Sequence, residues 1–152
     1  VSTAPDRTTA SFGDWILRCE VLAGQPKRVC EVAHAIVQNG QPRPIAEVAI
    51  GKQISGDNDM LTIVLPPNIA INVKPQIVER KAGAGPIELT WQRCMPGRCF
   101  ASAAVSRAIV ENFSAQTEPG RLLFKDAADR EIALPLSFRG LSQAWAALSK
   151  EP

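Results

Sequence analysis

Four cysteines carry the clearest chemistry in this sequence, and they fall into two pairs, Cys19 with Cys30 and Cys94 with Cys99. A zinc site made of four cysteines usually consists of two short loops with about two to four residues between ligands. The Cys94-x4-Cys99 spacing fits the upper end of that range, but the Cys19-x10-Cys30 spacing does not. The spacing therefore favours two disulfides, with zinc ligation or free buried thiols as the alternatives. Two disulfides would indicate an oxidising compartment, such as the periplasm, the cell surface or the exterior.

The other residues with catalytic potential do not form a recognisable set. The single histidine, His34, lies within a predicted strand, where a packed side chain is more common than a general base. The acidic pairs Asp57 with Asp59 and Asp126 with Asp129 lie in predicted turns, where hydrogen bonds to backbone N–H groups explain them. The sequence contains no Gly-x-Ser-x-Gly and no Cys-x-x-Cys motif. It therefore predicts no catalytic residue, no cofactor and no metal site, with a hydrolase that has an unrecognised site as the alternative.

The first cysteine pair is positioned by two predicted strands, residues 14–21 and 28–37, on either side of a turn that contains glycine and proline. An antiparallel hairpin with its loop at residues 23–26 places the two cysteines opposite each other. The same register satisfies the alternation of apolar residues and a favourable cross-strand charge pair. The predicted cross-strand pairs are Cys19 with Cys30, Leu17 with Val32, Trp15 with His34, and Arg18 with Glu31.

The second cysteine pair closes a turn between the predicted strands 87–94 and 99–105. A disulfide here closes a loop of about six residues and stabilises the fold by about 2 kcal/mol, against about 3 kcal/mol for the longer loop of the first pair. Because this stabilisation is the smaller of the two, the bond can also serve to hold the shape of an exposed tip. Met95, Arg98 and Phe100 are the candidate contact residues of this tip, and a purely structural disulfide is the alternative.

The rest of the chain predicts further short strands and two helices. Residues 106–116 indicate a short helix with Ser106 as its N-cap, and residues 141–150 indicate a terminal helix. Pro135 places the last strand at a sheet edge or a bulge. The sequence therefore predicts a mainly all-β fold, an antiparallel sandwich or partly open barrel of about eight or nine short strands with two short helices in the C-terminal half. The further predicted strands are residues 45–50, 60–65, 69–73, 76–80, 121–124 and 130–138.

No linker divides the chain, so we expect a flexible N-terminal segment at residues 1–10 and a single β domain at residues 11–150. Unpaired edge strands are compatible with a monomer or a weak homodimer. The terminal helix is expected to bury one stripe of side chains against the sheets. That stripe consists of Leu141, Ala144, Trp145 and Leu148.

Composition and charge exclude several classes of function. Apolar residues make up 45% of the chain and charged residues 21%, which is typical of a globular domain. The net charge is +2 and the basic residues are scattered, whereas nucleic-acid binding usually needs a concentrated basic face. The sequence has no apolar run of about 18 residues, so it predicts no membrane span. The polar N-terminus is typical of a mature exported chain, from which we expect a signal peptide to have been removed.

Several stretches, taken in order along the chain, resemble a known family. They are FGDWILRCE at residues 12–20, VLPPNIAINV at 64–73, RCMPGRCFA at 93–101 and IALPLSFRGLSQAWAAL at 132–148. Over about residues 11–149 the chain resembles the invasion-associated locus B family of bacterial envelope proteins, which occurs mainly in alphaproteobacteria. The most specific part is the motif Phe12-Gly13-Asp14-Trp15 together with the four cysteines. The stretch KPQIVERKAGAG at 74–85 departs from the acidic, glycine-containing turn that relatives often carry.

The resemblance implies an exported protein with a cleaved signal peptide, located in the periplasm or at the outer surface, and it implies no catalytic residues. The founding member of the family is linked to bacterial entry into red blood cells, but many relatives belong to free-living bacteria. We therefore expect a non-enzymatic exported binding or envelope protein with a protein partner, either in the envelope or on a host surface. A periplasmic housekeeping protein that supports envelope integrity or assembly is the alternative. Within the motif, Gly13 is expected to permit an unusual backbone turn and Asp14 to cap local N–H groups, with contact to a ligand as the alternative role of Asp14.

Overall fold

The computed structural model describes residues 7–21, 28–37, 42–52, 58–79 and 86–150. The predicted mainly-β fold is confirmed: two antiparallel sheets, which do not close into a barrel, pack together with two short helices. In the described part of the chain no helix is long and apolar enough to cross a membrane. The elements are β1 (Arg7–Phe12), β2 (Trp15–Val21), β3 (Arg28–Ile36), β4 (Ala46–Lys52), β5 (Asp59–Leu65), β6 (Gln76–Val78), β7 (Ile87–Glu88), β8 (Thr90–Met95), β9 (Arg98–Val105), α1 (Arg107–Ser114), β10 (Gly120–Lys125), β11 (Glu131–Leu136) and α2 (Leu141–Ser149).

The larger sheet has seven strands in the order β1-β2-β3-β4-β5-β9-β8. Successive side chains of a strand point to opposite faces, so alternating sequences such as those of β2 and β5 bury every second residue. The predicted register of the first hairpin is confirmed, with Cys19 opposite Cys30 and Arg18 opposite Glu31. The loop predicted at residues 23–26 lies outside the described residues.

The smaller sheet has four strands in the order β11-β10-β6-β7, and it shares one hydrophobic core with the larger sheet and both helices. Pro135 lies in β11 at the edge of this sheet, as predicted, because proline has no N–H to donate to a central ladder. The N-cap of α1 is also confirmed, since Ser106 Oγ accepts the N–H of Ile109 at 3.4 Å. The predicted stripe of α2 is buried: Leu141, Ala144, Trp145 and Leu148.

The N-terminal boundary predicted from the sequence needs correction. Strand β1 begins at Arg7, so residues 7–10 belong to the larger sheet and not to a flexible segment. These residues are mostly exposed and polar, and they pair with β2 through backbone hydrogen bonds. Polar edge strands of this kind carry little hydrophobic periodicity, which explains why the sequence pattern did not predict one.

Two other predictions in the middle of the chain are wrong. Residues 69–73 form only an isolated bridge, Ile69 with Asp126, followed by a turn, and prolines on both sides of this stretch limit strand pairing. The single strand predicted at 87–94 is two strands, because the chain passes from the smaller sheet to the larger sheet at Leu89. Leu89 is fully buried, and its N–H donates to Pro75 O at 2.9 Å. With these changes the described residues contain eleven strands, more than the number predicted.

Candidate functional site

The tip of the second hairpin lies at the end of the larger sheet, between β8 and β9. A disulfide joins Cys94 to Cys99, as predicted, and Pro96 and Gly97 form the turn between the strands. Gly97 has a φ of 86°, and a proline followed by a glycine with positive φ fits a type II turn. The turn itself is exposed, and so are Cys94 and the side chain of Met95, whereas Cys99 is buried. The disulfide therefore joins an exposed turn to the margin of the core.

Two arginines stack on one aromatic ring beside this turn. The guanidinium carbons of Arg93 and Arg98 lie 5.6 Å and 5.4 Å from the centroid of the Phe100 ring. At these distances the ring attracts both cations through its quadrupole. Within the described residues neither guanidinium has a carboxylate partner. The two guanidinium groups therefore cover part of the ring of Phe100, a predicted contact residue. The ring and the two cations form one continuous surface beside the turn.

Arg93 joins the tip because of a β-bulge that the sequence pattern did not reveal. The register between β8 and β9 shifts between Trp91 and Arg93, so Trp91 lies opposite Ala101 and Arg93 lies opposite Phe100. The bulge lets the Trp91 ring pack against the core, where Nε1–H donates to Val73 O at 3.1 Å. These contacts place Trp91 at the margin of the core.

A groove of about 500 Å³ lies beside the tip, across the end of the larger sheet. Its walls come from three segments that are far apart in sequence: the approach to β4, the end of β5, and the turn between β8 and β9. Most of the lining side chains are apolar, and Arg43 and Arg98 are the cationic ones among them. The lining residues are Arg43, Pro44, Ile45, Ala46, Glu47, Val64, Leu65, Pro66, Gly97 and Arg98.

One row of side chains on the outer face of the larger sheet connects the groove to the stacked arginines. Across β4, β5, β9 and β8, Glu47 lies opposite Val64, Val64 opposite Phe100, and Phe100 opposite Arg93. The carboxylate of Glu47 accepts a hydrogen bond from Arg18 Nη2 at 2.5 Å. Arg18 also binds Glu31, so these three side chains keep one net negative charge, whereas Arg43, Arg93 and Arg98 around the tip add three positive charges without carboxylate partners in the described residues.

The Arg18 guanidinium also binds Glu31 at 2.7 Å, so it bridges carboxylates from two strands. Burial opposes the charge of Arg18, but the hydrogen bonds to Glu47 and Glu31 outweigh it and raise its pKa. The predicted cross-strand pair of Arg18 and Glu31 is thus present, and the third partner, Glu47, comes from a strand that the hairpin pattern did not include.

The Phe12-to-Trp15 motif has a structural role that differs from the exposed tip. Gly13 and Asp14 form a two-residue turn between Phe12 at the end of β1 and Trp15 at the start of β2. This turn packs against residues 137–140, which precede α2. We call this contact between residues 12–15 and 137–140 the motif junction. Both segments lie within the stretches that carry the family resemblance. The junction therefore brings together two stretches from opposite ends of the chain.

Hydrogen bonds hold the motif junction together. The Asp14 N–H donates to Arg139 O at 2.9 Å, and Trp15 Nε1–H donates to Ser137 O at 2.9 Å. The Asp14 carboxylate accepts from Arg139 Nη2 at 3.1 Å and from Ser137 Oγ at 2.5 Å, and these hydrogen bonds lower its pKa. The prediction that Asp14 caps local N–H groups is wrong, because in the described residues its carboxylate binds a segment far away in sequence.

Two glycines permit the close backbone approach in the motif junction. Gly13 has a φ of 59°, as its expected role in an unusual turn requires, and Gly140 has a φ of 91°. A Cβ atom on Gly13 would lie 2.8 Å from Arg139 O, and a Cβ atom on Gly140 would overlap the carbonyl oxygen of Phe12. Neither position accepts a side chain without displacement of the opposing backbone.

His34 is buried beside the motif junction and is not placed as a general base. Its Nδ1 lies 3.0 Å from Asp14 O, and because a carbonyl only accepts, Nδ1 carries the proton. The imidazole ring packs 5.6 Å from the Trp15 ring. Burial lowers the pKa of His34, so the side chain is neutral at pH 7. The prediction of a packed strand histidine is confirmed.

The acidic residues considered for catalysis have structural contacts. Asp126 Oδ1 accepts the N–H groups of Ala128 and Arg130, which confirms its predicted role in a turn. Asp59 does not lie in a turn as predicted: it begins β5, is 2% exposed, and forms an ion pair with Arg107 at 3.1 Å. Asp57 lies outside the described residues. Within the described ranges no three His, Cys, Asp or Glu side chains are grouped as metal ligands.

The two antiparallel sheets, the two disulfides and the shared core define the chain as a disulfide-bonded protein with a sandwich-like β fold. A family model described as Invasion associated locus B (IalB) protein matches residues 15–149, which is most of the chain. The chain therefore belongs to the invasion-associated locus B family.

A solved relative has the same fold. The crystal structure of invasion associated protein B from Bartonella henselae superposes with a TM-score of 0.79, covers 93% of this chain and 95% of that chain, and shares 20% sequence identity. At this identity the likeness establishes the fold alone. Curated protein sequences contain no significant match to the chain.

Proposed function

We propose that this chain is an exported, non-enzymatic binding protein of the bacterial cell envelope. In this proposal it contacts a protein partner through the tip that carries Met95, Arg98 and Phe100. The observation that carries the proposal is the disulfide-closed turn, which presents an exposed methionine and two stacked arginines that lack carboxylate partners in the described residues. Arginine, methionine and aromatic residues are the types enriched at protein interfaces.

Export is supported by the two disulfides and by the family. Structural disulfides persist in oxidising compartments and are rare in the bacterial cytosol. Both pairs, Cys19 with Cys30 and Cys94 with Cys99, are bonded, and the described residues contain no free cysteine. These bonds favour the periplasm or the outer surface as the location of the protein.

A role without catalysis is supported by the contacts of the ionisable residues. His34 is buried and donates to the backbone, and the carboxylates of Asp14, Asp59 and Asp126 bind arginines or backbone N–H groups. A general base or nucleophile would need a free functional atom facing a cleft. The groove beside the tip is instead lined by apolar residues, prolines and arginines, and the carboxylate of Glu47 within it is bound by Arg18.

The location of the partner separates two versions of this function. The family and the solved relative are both described as invasion associated, which supports a partner on a host surface. A partner within the bacterial envelope would instead support a housekeeping role in envelope assembly.

Photocrosslinking in the native bacterium tests the proposal. A photoreactive side chain in place of Met95, which is 43% exposed, would probe the tip. The φ of Met95 is not positive, so its backbone accepts a large side chain without strain. The matched control places the same group at Ala146, an exposed position on α2, which packs against the opposite end of the larger sheet. We expect a single discrete product from the Met95 position, with bacteria alone or with host cells, and none from Ala146. Equal labelling at both positions, or none at Met95 under either condition, would refute a contact role for the tip.

A further inference from the structure

We propose that the groove beside the tip binds an extended, acidic polypeptide segment of the partner, with Arg43, Arg93 and Arg98 as the residues that contact its carboxylates. This inference rests on the proposed function, because it takes the tip to be the contact surface. It adds the chemical class of the ligand and two arginines that the sequence pattern did not select.

The charge of the surface is the first argument. Arg43, Arg93 and Arg98 are exposed and surround the groove and the Phe100 ring, and in the described part of the chain none of them forms an ion pair. The carboxylate that lines the groove, Glu47, shares Arg18 with Glu31, so this cluster keeps one net negative charge against the three positive charges of the arginines. Elsewhere in the described ranges many surface arginines do have acidic partners, such as Arg107, Arg130 and Arg139. Three uncompensated arginines around one groove favour an anionic partner.

The shape of the groove is the second argument. It is open along the end of the sheet, whereas pockets for small molecules usually enclose most of the ligand surface. Its floor includes Ile45, Val64 and Pro66, so it offers an apolar strip beside the cations. An extended peptide points alternate side chains to opposite sides. Such a peptide can place apolar side chains on the floor and carboxylates toward the arginines.

The geometry of the arginines is the third argument. The Phe100 ring holds two guanidinium groups at its surface before any ligand binds. A planar guanidinium binds a carboxylate with two parallel hydrogen bonds, and a guanidinium held by stacking loses less side-chain entropy when it does so. The disulfide and the Pro96-Gly97 turn fix the backbone that carries Arg98. The cationic side of the groove is therefore preorganised, which favours affinity.

A selection with displayed random peptides tests this inference directly. The immobilised wild-type protein is expected to enrich peptides that alternate Asp or Glu with apolar residues, and binding of a selected synthetic peptide should weaken as ionic strength rises. The double variant Arg43→Glu with Arg98→Glu should bind that peptide about tenfold more weakly or worse. The control variant Arg121→Glu with Lys150→Glu changes the net charge equally at exposed sites on β10 and at the end of α2, which do not line the groove, and should bind normally. Circular dichroism and thermal unfolding establish that both variants fold.

Four results would overturn the inference. Selected peptides without acidic enrichment would exclude the assigned chemistry, and so would equal loss of binding in the control variant. Binding to phosphatidylglycerol vesicles that depends on Arg43 and Arg98, together with no peptide selection, would identify a lipid surface in place of a polypeptide. A discrete crosslink at Met95 that persists in the Arg43→Glu, Arg98→Glu variant would preserve the proposed function and reject only the acidic groove. Loss of that crosslink in the variant, but not in the control, would support both.

Discussion

The motif junction and the tip are built from similar residues but differ in what those residues contact. Each contains a two-residue turn with a glycine of positive φ. Each also has an arginine near a phenylalanine: Arg139 follows Phe138 in the motif junction, and Arg98 lies over the Phe100 ring at the tip. In the motif junction, Asp14 and Arg139 pair with each other, and the turn glycine lies against another backbone segment. At the tip, Arg98 has no acidic partner among the described residues, and a Cβ on Gly97 would contact nothing within 4 Å.

This difference separates residues that stabilise the fold from residues that are available to a partner. A glycine whose Cβ position is occupied by another backbone segment is required for folding, whereas a glycine in open space is required only by its own turn. An arginine that pairs with a carboxylate of the same chain connects two segments of the fold, whereas an unpaired exposed arginine contributes little to stability. Substitutions in the two regions should therefore change different measured quantities.

The largest expected effect comes from Gly140→Ala in the motif junction. The added Cβ would overlap the carbonyl oxygen of Phe12 at a φ of 91°, so we expect the free energy of unfolding to fall by about 3 kcal/mol or more. The matched change at the tip, Gly97→Ala, meets no neighbour and should cost only the backbone strain, about 1 kcal/mol. Urea unfolding of both variants measures the difference. Equal destabilisation by the two substitutions would contradict the distinction between the regions.

Removal of each disulfide should affect the two hairpins differently. Replacing Cys19 and Cys30 with alanine should lower the free energy of unfolding by about 3 kcal/mol, and replacing Cys94 and Cys99 by about 2 kcal/mol, because the second loop is shorter. Only the second replacement should also abolish the crosslink from Met95, since it releases the shape of the tip. Thermal unfolding and crosslinking of both double variants provide the measurements. Normal crosslinking without the Cys94–Cys99 bond would show that the disulfide has a stabilising role only.

The pH dependence of stability should report on the region around the motif junction. Burial lowers the pKa of His34, so below about pH 6.5 the unfolded chain binds a proton that the folded chain does not. The stability that this neutral histidine provides is complete above about pH 6.5, and it decreases as the pH falls toward the folded-state pKa, by at most about 1.4 kcal/mol per pH unit. His34 is the single histidine of the chain, so His34→Gln should flatten the profile between pH 7 and pH 5. An unchanged slope in the variant would disprove the assignment.

At lower pH a second loss of stability should follow. The hydrogen bonds from Arg139 and Ser137 lower the pKa of Asp14, so its contribution is present above the unfolded-state pKa near 4 and is lost as the pH falls through the folded-state value. Asp14→Asn should remove this component of the acid transition while leaving the slope between pH 7 and pH 5 in place.

The smallest expected effect on stability comes from the arginines of the groove. Arg43→Ala and Arg98→Ala remove exposed side chains without ion pairs in the described residues, so each should change the free energy of unfolding by about 0.5 kcal/mol or less. Peptide binding should nevertheless decrease in both variants. A large loss of stability in Arg98→Ala would mean that its stacking on Phe100 supports the fold, which would weaken the distinction between the two regions.

Local features of the fold could be predicted from the sequence because their signals are local. The register of the first hairpin follows from the alternation around Cys19 and Cys30, and the N-cap of α1 follows from Ser106 before an amphipathic segment. Features without a local signal were missed. The polar strand β1 has no apolar period, and the bulge that places Arg93 opposite Phe100 becomes evident only from the pairing with β9.

The sequence by itself determined the mainly-β class, the two cysteine pairs, the two helices and the family resemblance. Each of these depends on residue type and spacing over a few turns or strands of chain. The contact that joins Asp14 to Arg139 and the assembly of Arg43, Val64 and Arg98 around one groove were decided by tertiary structure alone. Sheet order brings β5 beside β9, and the shared core brings the N-terminal turn beside the approach to α2. Such neighbours are far apart in sequence, so no periodicity in the chain specifies them.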